Sequence, residues 1–266
     1  MKLVVDDITF GYDERNVLEG LSFTYESPDA FCILGSNGTG KSTLLQCIMG
    51  EYHVKAGSIS IDGKPVSEYS ARELARKVAY IPQTHVPTFA YPVIDVVTMG
   101  RTSRMGYLAN PSSDDRAVAE EQLEYLGITK LRNKPYTDIS GGERQLVMIA
   151  SALAQEPELL LLDEPTAHLD FGNQFKFVEL VEKLRDRGMG VLMTTHFPDH
   201  ALQLGGTCAV MRSGHVETLG PAADVVTSTS MTSLYGIDVS LLHVGKRTVC
   251  VPGAVDDEPV LALERA

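Results

Sequence analysis

The apolar residues of this chain recur with two periods, one typical of β-strands and the other typical of α-helices. Short apolar runs predict strands at 30–34, 78–81, 159–162 and 190–195. The last two runs are typical of strands buried on both faces, as in a parallel sheet. Alternating and β-rich stretches predict antiparallel strands and hairpins at 2–10, 16–25, 57–61, 208–219 and 239–251.

Apolar residues three or four positions apart predict helices at 44–49, 72–77, 114–126, 139–153 and 172–187, with shorter helical pieces at 221–226 and 231–235. In the helix at 172–187, we expect Phe175, Val178, Val181 and Leu184 to face the core. A further short helix is predicted over 95–101. Its apolar side either forms a docking surface or is buried in the core.

Composition places the chain among ordinary globular proteins and excludes some partners. Of its 266 residues, 44% are hydrophobic and 22% are charged, and the formal net charge of −12 argues against a nucleic-acid footprint. No secretory signal and no apolar run of about 18 residues is present, so we expect no membrane span. Single, scattered cysteines indicate buried thiols in a reducing, intracellular compartment, with no zinc site: Cys32, Cys47, Cys208 and Cys250.

A glycine-rich loop lies between the strand at 30–34 and the helix at 44–49. It matches the G-x-x-x-x-G-K-[ST] pattern of phosphate-binding loops, and its residues are Gly35, Ser36, Asn37, Gly38, Thr39, Gly40, Lys41, Ser42 and Thr43. The glycines let backbone N–H groups turn around an anion, to which the helix N-terminus adds partial positive charge. Lys41 can reach the β- and γ-phosphates, and the Ser42 hydroxyl can hold Mg²⁺.

Polar side chains follow the other buried strands. Asp163 and Glu164 end the strand at 159–162, where ligands bind in open α/β sheets. Asp163 suits Mg²⁺ coordination through water, and Glu164 could polarise an attacking water. His196 follows the strand at 190–195, which should lie beside that of Glu164. Gln83 follows the strand at 78–81, either as an ordinary loop residue or as a group that orients water or touches Mg²⁺.

Two further features are consistent with nucleotide binding. Ser140 and Glu143 form a capping box, and the helix that they open carries Gly141 and Gly142 in its first turn. Because each glycine costs about 1 kcal/mol there, close approach to a phosphate is the favoured explanation. Tyr12, in the turn before the phosphate loop, either stacks on a nucleobase or packs on its own hairpin.

Taken in the order in which they occur along the chain, these motifs resemble those of the ATP-binding subunits of ABC transporters over about residues 1–240. The resemblance implies an α/β fold. Its core is of the P-loop NTPase (RecA-like) type, with an antiparallel β subdomain and an inserted helical subdomain at about 86–157. Residues 241–266 form a C-terminal extension. The family's signature motif corresponds to residues 139–145 of this chain. It begins with Ile139 where the family more often has Leu, a conservative difference.

The resemblance also implies ATP and Mg²⁺ as ligands and assigns roles to residues. Lys41 and the loop amides would hold the phosphates, and Glu164 would be the general base. Tyr12 would stack on adenine, His196 would contact the γ-phosphate, and Mg²⁺ would be held by Ser42 and Gln83, with Asp163 acting through water. Two copies would sandwich two ATP molecules head to tail. Ser140, Gly141 and Gly142 would complete the partner's site, with Asp170 at that interface.

Three segments, 99–101, 165–174 and 195–201, resemble importers of iron–siderophore, haem, cobalamin or molybdate type. This implies an ATPase pair at the cytoplasmic face of the membrane, beneath a pair of multi-spanning permeases fed by an extracytoplasmic binding protein. The expected function is to power uptake of a metal chelate, with 86–157 receiving the permease. The alternative is a soluble ABC ATPase with a non-transport role, such as iron–sulfur cluster assembly.

Overall fold

Strands form two main sheets and a C-terminal hairpin in the computed structural model, which describes residues 1–83, 88–106, 109–167, 169–245 and 247–253. The strands in chain order are β1 (Lys2–Phe10), β2 (Leu18–Glu26), β3 (Ala30–Leu34), β4 (Ala56–Ile61), β5 (Lys64–Pro65), β6 (Val78–Ile81), β7 (Leu159–Asp163), β8 (Gly190–Thr195), β9 (Thr207–Arg212), β10 (His215–Pro221), β11 (Val239–Val244) and β12 (Arg247–Pro252).

Helices connect these strands. The α-helices in chain order are α1 (Lys41–Ile48), α2 (Ala71–Lys77), α3 (Val93–Met99), α4 (Ser113–Tyr125), α5 (Gly141–Ala154), α6 (Phe171–Asp186), α7 (Pro198–Leu204), α8 (Ala222–Val225) and α9 (Ser228–Tyr235). Short 3₁₀ turns occur at Val66–Glu68, Gly100–Ser103, Thr129–Leu131 and Tyr136–Asp138. Among the residues that the structure describes, no helix combines the length and apolarity that crossing a membrane requires.

The central sheet has the order β10-β9-β3-β8-β7-β6, and its strands are parallel except β10, which is antiparallel to β9. Successive side chains of its inner strands enter opposite cores. In β7, for example, Leu160 and Leu162 pack on one face and Leu159 and Leu161 on the other. Both faces are therefore covered, as the continuous apolar runs predict, and the expected α/β phosphate-loop fold is confirmed.

The N-terminal strands form the second sheet, in the order β2-β1-β4-β5, and its strands are antiparallel. Its inner face and the phosphate-loop helix α1 cover one face of the central sheet, and together they form one core. The opposite face of the central sheet is covered by α5, α6, α7 and the chain after residue 220. The phosphate loop consequently lies where the two sheets meet.

A third apolar cluster is formed by α3, α4 and α5. Val93, Ile94 and Val97 are buried in it, so the apolar side of the short helix predicted at 95–101 lies mainly in a core. Met99, at the end of α3, is 50% exposed, and the nearby Phe89 and Tyr91 are also exposed. The helical subdomain at about 86–157 and the boundary at 240 between the ATPase domain and the C-terminal extension stay predictions.

The structure differs from the sequence pattern in two places. In α6, Val178, Val181 and Leu184 are buried as predicted, but Phe175 is only half-buried. Phe177 is buried in its place, because it lies four residues before Val181 and seven before Leu184, on the same face of the helix. Helix α7 was not predicted from the sequence, because no side-chain cap marks its start. The C-terminal hairpin β11–β12 is formed as predicted. Residues 254–266, which the sequence indicates to be loosely held, lie outside the described residues.

The packing of β7 leads to a stability prediction. Leu161 is 0% exposed, whereas Leu219 in β10 is 44% exposed. We expect Leu161→Ala to lower the free energy of unfolding by about 2–5 kcal/mol, because it leaves a cavity in the core. The control Leu219→Ala should change it by no more than about 0.5 kcal/mol. Urea denaturation measures both, and equal losses in the two variants would contradict the assigned core.

Candidate functional site

The phosphate loop runs from the end of β3 to the start of α1, and its glycines are required by its geometry. Gly38 and Gly40 have φ of 79° and 100°, a region that side chains disfavour. A Cβ at Gly35 would come within 2.6 Å of the Met211 carbonyl oxygen. The Gly35 N–H donates to the Thr195 carbonyl at 3.2 Å, so the loop is tied to the end of β8.

Lys41 is buried beneath this loop, with 4% of its side chain exposed. Its Nζ donates to the carbonyl oxygens of Gly35 at 2.8 Å and Ser36 at 3.0 Å. It also forms an ion pair with Glu164, with 2.9 Å between Nζ and Oε1. Lys41, which the sequence predicts to bind phosphate, is thus paired with the carboxylate of Glu164 in the same chain.

Glu164 connects the other groups of the site. Its second carboxylate oxygen, Oε2, lies 2.9 Å from His196 Nδ1 and 3.5 Å from Gln83 Nε2. Its backbone φ of 42° is unusual for a residue with a side chain, and its N–H donates to Thr194 Oγ1 at 2.9 Å. Strain of this kind persists only where surrounding contacts fix it, and it is frequent at functional sites.

The charge state of Glu164 follows from these partners. Burial by itself raises the pKa of the Glu164 carboxyl, but hydrogen bonding and charge from Lys41, together with His196, more than offset it. The net pKa is lower than usual, so this carboxyl is ionised at neutral pH. Paired with Lys41 in this way, it is a weak base.

Oxygen ligands suitable for Mg²⁺ come from three elements around the loop. Ser42 offers an exposed hydroxyl and Gln83 an amide oxygen. The buried Asp163 carboxylate accepts hydrogen bonds from Thr194 Oγ1 at 2.7 Å and Tyr80 Oη at 3.2 Å. Within the described ranges, no three His, Cys, Asp or Glu side chains form a metal cluster. This donor set fits Mg²⁺, which takes few protein ligands and keeps water and phosphate oxygens.

Tyr12 lies beside the loop and packs in an aromatic group with Phe10 and Tyr52. Its ring is edge-on to both, with centroids 5.3 and 5.5 Å away, and its hydroxyl is 3.3 Å from Thr43 Oγ1. It nevertheless remains 53% exposed. Tyr12 therefore packs on Phe10 of its own hairpin and on Tyr52 beyond α1, and about half of it stays exposed beside the loop.

The loop, Gln83 and Glu164 line one open cavity of about 420 Å³. The signature residues lie elsewhere: Ser140 and Gly142 line a cavity of about 180 Å³ together with Asn173. The predicted capping box is present, since the Ser140 N–H donates to Glu143 Oε2 at 2.9 Å. Asp170 caps α6 by accepting from the Asn173 N–H at 2.8 Å. In the described part of a single chain, the phosphate-loop residues and Ser140–Gly142 therefore lie in separate cavities.

Sequence reasoning missed residues that hold the site in place. Thr194 contacts both Asp163 and Glu164, and a polar residue at a buried strand position was the available signal. His200 is buried with its Nδ1 3.2 Å from Thr195 Oγ1. Burial, with a contribution from His196, lowers its pKa to about 4, so it is neutral at physiological pH. The hydroxyl of Tyr235 donates to the His196 carbonyl oxygen at 2.7 Å. No sequence signal predicts this contact, because its acceptor is a backbone group.

Comparisons with known proteins agree with this geometry. A family model described as ABC transporter matches residues 18–167. The hemin import ATP-binding protein HmuV of Rhodococcus jostii (strain RHA1) is 34% identical over 242 residues, covering 91% of this chain and 82% of its own length. The molybdate import ATP-binding protein MolC of Haemophilus influenzae is 34% identical over 235 residues, covering 88% of this chain and 87% of its own.

A solved structure is also similar over nearly the whole length. It is described as a metal-chelate type ABC transporter in an inward-facing conformation, and it superposes with a TM-score of 0.84 at 32% identity. The match covers 95% of this chain and 97% of the other.

The buried ion pair leads to a pH-dependent stability prediction for the ligand-free protein. Lys41→Met leaves the Glu164 carboxylate buried without its cation, which should cost about 3 kcal/mol at pH 8. Burial then raises the folded pKa above the unfolded value of about 4.3. The folded state therefore binds a proton that the unfolded state lacks, and the loss should shrink at pH 5. Chemical denaturation at both pH values measures this.

The control for this prediction is the double variant Lys41→Met/Glu164→Gln. It removes both charges, so it should recover much of the stability and lose the added pH dependence. A Lys41→Met variant as stable as the parent at pH 8 would show that the pair is not a coupled buried contact.

Proposed function

This chain belongs to the ABC transporter family as an ATPase subunit homologous to metal-chelate importers, and we propose that it powers uptake of a metal chelate through a separate permease. The observation that supports ATP hydrolysis most directly is the convergence of Lys41, Glu164 and His196 beneath a phosphate loop. An iron–sulfur assembly role is not favoured, because these relatives are named as import proteins.

We propose that the phosphates of ATP replace Glu164 as the partner of Lys41. In the structure, the Lys41 ammonium pairs with the Glu164 carboxylate 2.9 Å away. Transfer of Lys41 to the β- and γ-phosphates would remove the larger of the two interactions that lower the pKa of Glu164. Glu164 would then become a stronger base, able to accept a proton from the attacking water. His196, already in contact with the carboxylate, would contact the γ-phosphate.

The ligands of Mg²⁺ are proposed from the donor set. Ser42 and Gln83 would hold the ion, and Asp163 would act through water. When bound, Mg²⁺ would neutralise charge on the phosphate oxygens. Asp163 is fixed for this role by the hydroxyls of Thr194 and Tyr80, which orient its two carboxylate oxygens.

We propose that a second copy of the chain, arranged head to tail, completes each site. The separation of Ser140–Gly142 from the phosphate loop supports this, because the two groups line different cavities that share no residue among those the structure describes. Asp170 would lie at the interface, held by its capping contact with Asn173. Tyr12 would stack on the adenine ring with its exposed face.

The helical group of α3, α4 and α5 is the proposed contact for the permease. The exposed rings of Phe89 and Tyr91 lie 5.8 Å apart by their centroids, and Met99 is also exposed. Phe89 and Tyr91 thus form a small exposed aromatic surface suited to a protein partner, and Met99 is a further exposed apolar side chain of this subdomain. The chain would thereby sit at the cytoplasmic face of the membrane without entering it.

Substitution of the proposed base gives the first functional test. Glu164→Gln should retain ATP binding and lower turnover by about 10²- to 10⁴-fold, because it removes the proton acceptor. The control Glu158→Gln changes an exposed carboxylate paired with Lys77 at the other end of β7, and should leave turnover unchanged. Phosphate release and ATP binding are measured for both. Rapid hydrolysis by Glu164→Gln would exclude Glu164 as the base.

The transport assignment is tested separately with the Glu164→Gln variant, tagged in its native cell and held with ATP. After gentle solubilisation of the membranes, we expect a multi-spanning protein to co-purify at equal stoichiometry. Its neighbouring binding protein can then be tested with iron–siderophore, haem, cobalamin and molybdate. Recovery of a soluble complex without a membrane protein would contradict transport and leave the ATPase assignment standing.

A further inference from the structure

The chain after residue 226 packs against the loop and helix that follow His196. Tyr235, the last residue of α9, donates from its hydroxyl to the His196 carbonyl oxygen at 2.7 Å. Burial raises the pKa of Tyr235, so this hydroxyl keeps its proton and acts as a donor. In the part of the chain that the structure describes, Tyr235 is the donor to this carbonyl.

The peptide bond between His196 and Phe197 is held at both of its polar ends. Its oxygen accepts from Tyr235, and its N–H donates to Thr195 Oγ1 at 3.0 Å. A peptide group is planar, so two such hydrogen bonds fix its orientation. The direction of the His196 side chain depends on the adjacent backbone dihedrals. The orientation of the His196–Phe197 peptide plane therefore helps to set the position of the imidazole.

Helix α7, which begins two residues after His196, is held by the C-terminal hairpin. The Cys250 N–H of β12 donates to Asp199 Oδ1 at 2.7 Å, and Cys250 packs against the core that α7 also covers. Because Asp199 lies in the first turn of α7, this contact fixes the start of the helix.

The hairpin itself is anchored at further points. The N–H of Val239 donates to Thr232 Oγ1 at 3.0 Å, and that of Leu241 to Ser228 Oγ at 3.1 Å, which ties β11 to α9. The Arg247 guanidinium lies 4.4 Å from the centroid of the Phe175 ring on α6. The C-terminal segment is thus joined both to α6 and to the backbone around His196.

We propose that the C-terminal segment formed by α9, β11 and β12 positions His196 for the γ-phosphate, with Tyr235 as the positioning residue. The inference rests on the proposed role of His196. Tyr235 does not touch ATP and acts through the His196–Phe197 peptide plane. The segment would thus affect hydrolysis through the backbone that carries the His196 imidazole, and not through a contact of its own with ATP.

The variant Tyr235→Phe tests the inference in the full chain with MgATP. It removes one hydroxyl, and we expect kcat to fall about fivefold, the equivalent of one hydrogen bond, with KM for ATP unchanged. The control Tyr69→Phe removes a similar bond, from Tyr69 Oη to the Ile61 carbonyl at 3.0 Å, remote from the site. It should lower thermal stability to a similar extent and leave kcat unchanged.

A double-variant cycle with His196→Ala decides whether Tyr235 acts through the histidine. Sensitive single-turnover measurements should show that Tyr235→Phe has no further effect when His196 is absent. A multiplicative loss in the double variant would overturn the inference. So would an unchanged kcat in Tyr235→Phe alone. If His196→Ala lowers kcat and Tyr235→Phe does not, only the inference fails; if His196→Ala has no effect, the proposed role of His196 fails with it.

A spectroscopic readout separates positioning from general loosening of the fold. In protein labelled at histidine, the imidazole signal of His196, assigned with His196→Ala, should shift in Tyr235→Phe. The same signal should be unaffected in Tyr69→Phe. An unmoved His196 signal in Tyr235→Phe would overturn the inference.

Discussion

The buried ion pair between Lys41 and Glu164 is the contact on which the site depends. Taking two charges out of water is costly unless each finds close partners. Here the lysine has two loop carbonyls besides the carboxylate, and the carboxylate has His196 and Gln83. Lys41, whose proposed partner is phosphate, is thus paired with Glu164, whose proposed role is that of the base. In this proposal, nucleotide binding transfers Lys41 from Glu164 to the phosphates, and the same step frees Glu164 to act as the base.

The geometry of that exchange is set by the order of strands in the central sheet. The loop follows β3, His196 follows β8, Glu164 follows β7 and Gln83 follows β6, and these four strands are neighbours in the order β3-β8-β7-β6. Parallel strands end at one edge, so four distant segments of sequence deliver their side chains to one place. The pairing of Asp163 with Thr194 fixes the register, and the same Thr194 hydroxyl then orients both acidic residues.

The C-terminal segment has a physical reason to be present. Helix α7 is short and begins at a proline, with no side-chain cap at its N-terminus. Such a helix gains little from its own hydrogen bonds and depends on packing. The contacts of Tyr235 and Cys250 supply that support at both sides of the turn that carries His196. Together they connect the end of the chain to the edge of the sheet where hydrolysis is proposed.

The sequence by itself determined the strands of the core, the phosphate loop and the fold class. These features are local: a continuous apolar run, a glycine pattern and a capping box each express their conformation within about ten residues. It also predicted that the strands carrying Glu164 and His196 would be adjacent, which the pairing of β7 with β8 confirms. The roles of the individual site residues stay proposals.

Only the tertiary structure decided that Lys41 pairs with Glu164, that Phe177 rather than Phe175 faces the core, and that Tyr235 holds the His196 backbone. These contacts join residues that are 123 and 39 positions apart in the first and last case, and they depend on sheet register and helix rotation, for which the one-dimensional pattern carries no signal.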